Sequence, residues 1–112
     1  MKLTMTRGNN KTFNVAVTVG GLPYSLAGTQ LFFTTKKSPE DSAYVFRKSI
    51  GSGITVTNEA AGLATIELVP ADTTALPSLT TSLYYDLEVE KASKIYTHTS
   101  GRLVVDPDIT VR

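Results

Sequence analysis

The sequence predicts an all-β fold: a single antiparallel β-sandwich over residues 1–112, with seven or eight strands and one or two short helical turns. Three observations lead to this prediction. Apolar residues recur at every second position, which is the period of a half-buried strand. Turn-forming residues interrupt these stretches roughly every eight to twelve residues. No stretch repeats with a long helical period. The pattern fits an immunoglobulin-like sandwich and leaves a partly closed β-barrel as the alternative.

A β-hairpin between Leu83 and Val105 is predicted to form the centre of the sheet. Its first arm, residues 83–90, places apolar side chains on one face and three acidic side chains on the other. Its second arm, residues 94–105, is rich in β-branched residues, which favour strands. Because the two arms are long enough to pair along their length, we expect the other strands to be arranged around them.

The loop of this hairpin determines its register. A three-residue loop over Lys91–Ser93 places Glu90 opposite Lys94 and brings Val89 to Ile95 on the inner face. A two-residue loop would instead pair Glu90 with Ile95 and turn Ile95 outward. A slip of one residue reverses the face of every side chain, so hydrophobic matching favours the three-residue loop.

The other elements are predicted from the same alternation. Gly20-Gly21 ends the clearest alternating stretch, since glycine accepts the positive φ angles of tight turns. Leu26 is predicted to insert into the core from the loop that follows. The remaining strands are predicted over residues 2–6, 13–19, 30–36, 44–48, 54–57 and 63–68, with helical turns at 38–41 and 70–76 and a tail over 109–112.

Composition narrows the class of function. The net charge is +1 and the basic residues are scattered, so no cationic cluster is present to bind nucleic acid or an anionic membrane. The chain has no cysteine, which excludes disulfides, zinc–thiolate sites and cysteine nucleophiles. It shows neither a signal peptide nor a membrane-spanning stretch, so we expect a protein made in a cytoplasm. No cofactor is expected.

The candidate catalytic residues do not form a constellation. His98 is the one histidine, and in the favoured register it faces Asp86, but no serine is placed where this pair could activate it. Asp86, Glu88 and Glu90 share one strand face, which is more typical of a solvated surface than of an acid–base pair. We therefore expect neither enzyme activity nor a metal site.

Aromatic residues offer a different kind of site. Tyr84, Tyr96 and His98 are predicted to share the outer face of the central hairpin. Exposed aromatic rings stack on sugars or anchor protein interfaces, because they present a large apolar area with a polar end. The sequence therefore suggests a binding face, with burial under a neighbouring strand or loop as the alternative.

The order of several short motifs resembles that of known phage proteins. These motifs are Thr6–Asn9 before Thr12–Val15, Leu26–Thr29 before a Phe-bearing strand, Gly53-Ile54, Gly62–Ile66 before Pro70–Thr73, Tyr84–Leu87, Gly101–Leu103 and Asp106–Asp108. Over nearly its whole length the chain is similar to small β-sandwich structural proteins of tailed bacteriophages. That group resembles the N-terminal domain of the phage baseplate upper protein family.

This resemblance implies assembly rather than catalysis. It implies a structural component of the virion, on the tail, the baseplate or the capsid surface, made in the host bacterial cytoplasm. Its partners would be other virion proteins in a homo- or hetero-oligomeric assembly, reached through sheet edges and faces. The apolar residues least typical of a core are the predicted interface: Phe32, Tyr44, Phe46, Tyr84, Tyr96 and His98.

A second interpretation is an immunoglobulin-like adhesion or carbohydrate-binding module. It predicts that the isolated chain binds a glycan, such as one on a host surface, through exposed tyrosine or histidine side chains. The phage interpretation predicts no such ligand and expects incorporation into particles at a symmetric copy number.

Overall fold

The computed structural model describes residues 2–76 and 79–109, most of which lie in ten β-strands. Pro70–Asp72 forms a single 3-10 turn, and no helix in these two ranges is long and apolar enough to cross a membrane. The strands are β1 (Lys2–Thr6), β2 (Lys11–Ala16), β3 (Thr18–Val19), β4 (Leu22–Pro23), β5 (Thr29–Lys36), β6 (Phe46–Ile50), β7 (Gly53–Asn58), β8 (Leu63–Leu68), β9 (Thr81–Lys91) and β10 (Lys94–Asp106).

Eight of the strands form one hydrogen-bonded sheet in the order β1-β10-β9-β5-β6-β7-β8-β2, while β3 and β4 form a separate two-stranded ribbon. The sheet folds into two layers that meet where β6 and β7 share only two residue pairs. One layer holds β1, β10, β9, β5 and β6, and the other holds β7, β8 and β2. This is the strand arrangement of a variable-type immunoglobulin domain. The predicted all-β, immunoglobulin-like sandwich is confirmed, and its continuous sheet is also nearly closed, as in the barrel alternative.

The core lies between the two layers and is built by the alternation of the central strands. In β5 and β9 every second residue is buried, among them Leu31, Phe33, Leu83 and Leu87. The ring of Phe33 lies with its centroid 5.3 Å from that of Tyr85, at the centre of this core. Each such side chain contributes about 1.5–3 kcal/mol when it is fully buried. With no disulfide available, apolar packing has to provide the stability.

The turn of the central hairpin contains two residues, so the predicted three-residue loop is wrong. Ala92 and Ser93 have positive φ angles of 53° and 66°, the geometry of a type I′ turn. Lys91 pairs with Lys94, and Glu90 pairs directly with Ile95. The twist of a type I′ turn matches that of the flanking strands, and this local preference outweighed the burial of Ile95, which is 61% exposed.

A β-bulge then restores the inward register of β10. The pairing of β10 with β9 shifts between Thr97 and Thr99, which leaves His98 as the extra residue. Beyond the bulge Leu103 lies opposite Leu83, so both side chains reach the core. Asp86 pairs with Ser100, so the predicted position of His98 opposite Asp86 is wrong.

The remaining elements mostly agree with expectation. Leu26 is buried as predicted, and the hairpin of β7 and β8 forms across residues 59–62. Residues 38–41 are not helical; they make a turn in which Asp41 N donates to the carbonyl oxygen of Ser38 at 3.1 Å. The strand predicted from Tyr44 begins two residues later. Of the predicted tail, residues 110–112 lie outside the described residues.

Arg7 fixes the short connection between the two edges of the sheet, β1 and β2. Its Nε donates to the carbonyl oxygen of Leu76 at 2.9 Å, and its Nη2 donates to that of Thr74. Its Nη1 pairs with Asp108 Oδ1 at 3.0 Å, with both side chains largely buried. Gly8 N completes the arrangement by donating to Thr73 Oγ1 at 2.8 Å. The guanidinium thus holds two separate segments, residues 74–76 and Asp108, against one turn.

Gly62 lies very close to the backbone of neighbouring segments and leaves no room for a side chain. Its φ is +72°, and a Cβ at this position would lie 2.6 Å from the carbonyl oxygens of both Val17 and Tyr24. The same segments are joined by Val17 N donating to Gly62 O at 2.8 Å. Only glycine fits between the β7–β8 loop and the segment that carries the β3–β4 ribbon.

We predict that Gly62→Ala destabilises the protein far more than Gly20→Ala does. Gly20 also has a positive φ, +61°, but an added Cβ there meets no described atom within 4 Å. Gly20→Ala should cost about 1 kcal/mol of unfolding free energy, from backbone conformation alone. Gly62→Ala should cost about 1–3 kcal/mol more, because backbone oxygens must move apart. Urea unfolding of the two variants measures the difference, and equal losses would contradict the close contact.

Candidate functional site

Large apolar side chains are exposed at one end of the sandwich. Val19 and Leu22, which pair across the β3–β4 ribbon, are 62% and 71% exposed. Ile95 and Tyr96, at the start of β10, are 61% and 52% exposed. We call these four residues the hairpin-end surface. Exposed apolar residues are unremarkable singly, but a group at one end of a small domain marks an interaction site.

The two parts of the hairpin-end surface border one cavity. This cavity has a volume of about 320 Å³, and its lining includes Val19 and Tyr24 from the ribbon side and Val89, Tyr96 and His98 from the hairpin side. The lining is mainly apolar. Its shape and chemistry suit an aliphatic or aromatic side chain from another protein better than a charged ligand.

Tyr24, on the ribbon side of this cavity, also contacts the central hairpin. Lys91 Nζ lies 5.0 Å from the centroid of the Tyr24 ring, within the range of a cation–π interaction. Tyr24 N donates to the carbonyl oxygen of Val17 at 2.9 Å, which ties the ribbon to the end of β2. These contacts position the ribbon beside the central hairpin.

A second, polar concavity lies on the outer face of the sheet. Its volume is about 400 Å³, and Lys36, Tyr84, Asp86 and Arg102 are among its lining residues. Partial burial raises the pKa of the Asp86 carboxyl, while nearby Lys36 and Arg47 act in the opposite direction. The Arg102 guanidinium carbon lies 4.2 Å from the Tyr84 ring centroid, so it covers one face of that ring.

The predicted interface residues divide into three groups. Tyr44 and Tyr96 are exposed, and the Tyr44 ring carries the Arg47 guanidinium 4.6 Å from its centroid. Phe32, Tyr84 and His98 are half-buried.

Phe46 does not belong to a surface. It is 7% exposed and packs with its ring centroid 6.2 Å from that of Phe33. Its selection was wrong, because it is the first residue of β6 and the strand alternation turns it into the core. A position at the start of a short predicted strand gave no clear signal of its face.

Tyr84 and Tyr96 lie on opposite faces of the sheet, so the predicted shared aromatic face is wrong. Tyr96 lies opposite Val89, which points inward, whereas Tyr84 points to the outer face. The two-residue turn is the cause, since it moved the start of β10 by one position relative to the expected register.

Sequence reasoning missed three of the four residues of the hairpin-end surface: Val19, Leu22 and Ile95. A signal for the first two was present, because Gly20-Gly21 between apolar residues is typical of a two-residue hairpin turn. The β3–β4 ribbon is separate from the main sheet, and its side chains extend beyond that sheet. Ile95 could not be found without the correct turn length.

The described residues offer no cluster of side chains suited to metal binding. Residues 2–76 and 79–109 contain no group of three or more His, Asp or Glu side chains that could hold a metal ion. His98 is part of a bulge and is separated from Asp86 by the register described above. What the geometry offers is apolar concave surface and free backbone edge, which serve recognition of other molecules.

Comparisons with known proteins relate the chain to others only through its structure. No protein-family model matches the sequence, and no curated protein matches it. The fold is similar to the N-terminal domain of phage TP901-1 ORF48, with a TM-score of 0.50, 13% identity, and coverage of 94% of this chain and 82% of that one. Murine CRIg has a TM-score of 0.42 and 8% identity, covering 94% and 90% of the two chains, which is too weak a likeness to interpret. The comparison with that domain shows a shared fold.

The core also contains a polar group, the hydroxyl of Tyr85. The hydroxyl group of Tyr85 is buried and has no hydrogen-bond partner among the described residues. A buried hydroxyl without a partner loses its hydration and gains nothing in return. Tyr85 is thus a residue whose polar group the isolated fold does not use.

We predict that Tyr85→Phe leaves the free energy of unfolding unchanged or raises it by up to about 1 kcal/mol. The ring packing against Phe33 is retained, and only the hydroxyl is removed. Thermal and urea unfolding of the two proteins provide the measurement. A loss above about 1 kcal/mol would show that the hydroxyl makes a stabilising hydrogen bond.

Proposed function

We propose that the protein is a non-enzymatic structural component of a tailed-phage virion that acts through protein–protein contacts. The hairpin-end surface is the observation that carries this proposal, since it exposes four large apolar side chains, two of which, Val19 and Tyr96, line a mainly apolar cavity. Apolar anchors inserted into pockets contribute most of the affinity in protein interfaces. A domain that presents such a surface is suited to assembly.

The comparison with solved structures supports the same class. The similar fold occurs in the N-terminal domain of a phage protein, and a shared fold raises the expectation of a shared setting without defining a role. We propose a place on the tail, the baseplate or the capsid surface. The partners are other virion proteins in a homo- or hetero-oligomeric assembly, and neither nucleic acid nor a membrane is among them.

The proposal predicts that the protein is found in purified particles of the phage that encodes it. Mass spectrometry of separated heads and tails should detect it in one fraction, at a copy number that fits the symmetry of that structure. Leu22→Ser should reduce incorporation at least about tenfold, because it removes an interface anchor. Leu79→Ser is the matched control, since Leu79 is 73% exposed but belongs to another segment.

Two outcomes would contradict the proposal. Absence of the protein from both heads and tails would remove the virion role. Equal incorporation of the Leu22→Ser and Leu79→Ser variants would remove the hairpin-end surface from the contact.

The polar concavity on the outer face favours a second candidate function, carbohydrate binding. Tyr84, Asp86 and Lys36 there provide a ring and charged hydrogen-bonding groups in one depression of about 400 Å³. Sugars bind where an aromatic face lies beside polar groups. Arg102 already covers one face of the Tyr84 ring, so only the other face is available to a ligand.

If the protein binds carbohydrate, isothermal titration with bacterial cell-wall glycans should show binding that Tyr84→Ala abolishes. Tyr44→Ala is the control, because Tyr44 is exposed but does not line the concavity. The absence of heat with all glycans, or equal binding by both variants, would eliminate this candidate.

A further inference from the structure

The outer face of β6, β5, β9 and β10 carries rows of side chains that cross the strands. Because side chains alternate between faces, the residues between the buried positions of these strands all point outward. The strand pairing arranges them in four rows, which from one end to the other contain Lys36, Tyr84 and Arg102; Arg47, Thr34, Asp86 and Ser100; Ser49, Phe32, Glu88 and Thr97; and Gln30, Glu90 and Ile95. We call this surface the outer β9 face.

Charges of opposite sign are separated along the outer β9 face. The first two rows hold all three of its cations, Lys36, Arg47 and Arg102. The last two rows hold Glu88 and Glu90 and no cation. Neither glutamate forms an ion pair with any residue that the structure describes. One half of the face is therefore positive and the other half is negative.

The cations of the first two rows contact mainly neutral groups. Arg102 donates from Nη1 to Ser82 Oγ at 3.0 Å and covers the Tyr84 ring. Arg47 donates from Nε to Thr34 Oγ1 at 3.0 Å. These contacts fix the two guanidinium groups without neutralising them.

The acidic groups at the positive end do not cancel its charge. Asp86 is the one acid in the first two rows, and both Lys36 and Arg47 act to lower its pKa against the effect of burial. Asp106 lies four residues beyond Arg102 on β10, which is about 13 Å along the strand. Glu40 and Asp41 belong to the exposed loop between β5 and β6, together with Lys37, and make no ion pair with a described residue.

The face also presents apolar area between its charges. Phe32 and Tyr84 point outward and are only half-buried, and Ile95 is 61% exposed. Phe32 interrupts the polar side of β5, although nothing in the core requires an aromatic residue there. Aromatic rings among charged groups are typical of protein interfaces.

We propose that the outer β9 face binds the same face of a second copy of the chain, with the two β9 strands antiparallel. A two-fold axis between the second and third rows places Glu90 of one copy over the row that holds Lys36 and Arg102 of the other. Glu88 then faces the second row, where Arg47 offsets Asp86. A parallel arrangement would instead place like charges over each other. This inference goes beyond the proposed function and uses a surface other than the hairpin-end surface.

The size of the face sets the expected strength of this dimer. Four strands about 4.8 Å apart and four rows about 7 Å apart cover roughly 500 Å² on each copy. The two copies together would bury about 1,000 Å², which is near the lower limit for a specific interface. We therefore expect a reversible dimer with a dissociation constant of about 1–100 μM.

The first test is sedimentation velocity of the unmodified, tag-free protein at increasing concentration and at two salt concentrations. The dissociation constant of the dimer should rise at least about tenfold between about 50 mM and about 500 mM NaCl, because salt screens the attraction between opposite charges. Amide chemical-shift changes on dilution should concentrate in β5, β9 and β10. These measurements do not depend on the folding of any variant.

The second test exchanges the charges of the two halves. One variant carries Glu88→Lys and Glu90→Lys, and the other carries Lys36→Glu and Arg102→Glu. Each variant alone should be monomeric where the unmodified protein is dimeric, since like charges then face each other. An equimolar mixture should restore a heterodimer, which native mass spectrometry distinguishes by mass.

A matched control changes the same number of charges on the other layer. Glu59→Lys with Glu67→Lys alters two exposed glutamates of the β7–β8 hairpin, away from the outer β9 face. Its dimer should have a dissociation constant within about twofold of that of the unmodified protein, because distant charges are screened.

Four results would overturn the inference. These are a monomer at every concentration up to about 500 μM, which is above the expected range; a dimer that salt does not weaken; shift changes confined to the hairpin-end surface or to β2; and folded charge variants that do not associate when mixed. Binding of a glycan at Tyr84 by a protein that stays monomeric is a further outcome that contradicts it. Absence of the protein from phage particles would remove the proposed function and leave a measured dimer intact.

Discussion

The geometry of the sheet depends on how Arg7 holds the chain between the two edges. Only residues 7–10 join β1 to β2, so the ends of these strands lie within about 18 Å of each other. The guanidinium binds two carbonyl oxygens and the carboxylate of Asp108, which fixes the direction in which the chain leaves β1. Both side chains of this ion pair are largely shielded from solvent, so salt screens it less than an exposed surface pair. Arg7 therefore fixes the connection at which the two edges of the sheet meet.

The exposed surface at the start of β10 results from the two-residue turn of the central hairpin. The two-residue turn at Ala92 and Ser93 directs Ile95 outward and leaves Tyr96 on the inner side, beyond the cover of the other layer. The bulge at His98 then corrects the register, so that the rest of β10 contributes to the core. Without the bulge, the same turn would expose Leu103 and turn Arg102 toward the core. Turn and bulge thus act together, and the exposed start of β10 results from both.

The fold was predictable because the alternation of apolar residues is strong in the central strands. In β9 the period-two pattern runs from Leu83 to Val89 and burial follows it residue by residue, and β5 also buries every second residue although Phe32 on its outer face is apolar. The register was not predictable, since hydrophobic matching and turn geometry favoured different loops and only the energies of the folded chain decide between them. The same error misplaced Tyr96 relative to Tyr84. The exposed pair Val19 and Leu22 was recoverable from its glycine turn.

The pairing of strands that are distant in sequence could not be predicted from the sequence. Alternation identifies which residues face a core, but it carries no information about which strand lies next to which. The parallel pairing of β1 with β10 and the open side between β1 and β2 arise from the topology as a whole. For this reason the open side between β1 and β2 has no signature in the sequence.

The pairing of Leu3 with Leu103 has a consequence for synthesis of the protein. A ribosome adds about 5–20 residues per second, so β1 waits roughly 5–20 s before β10 exists. Hairpins such as that of β7 and β8 form within about 1–10 μs once both arms have emerged. The nascent chain therefore carries an unmatched first strand for most of its translation, and during that time it is a natural client for chaperones.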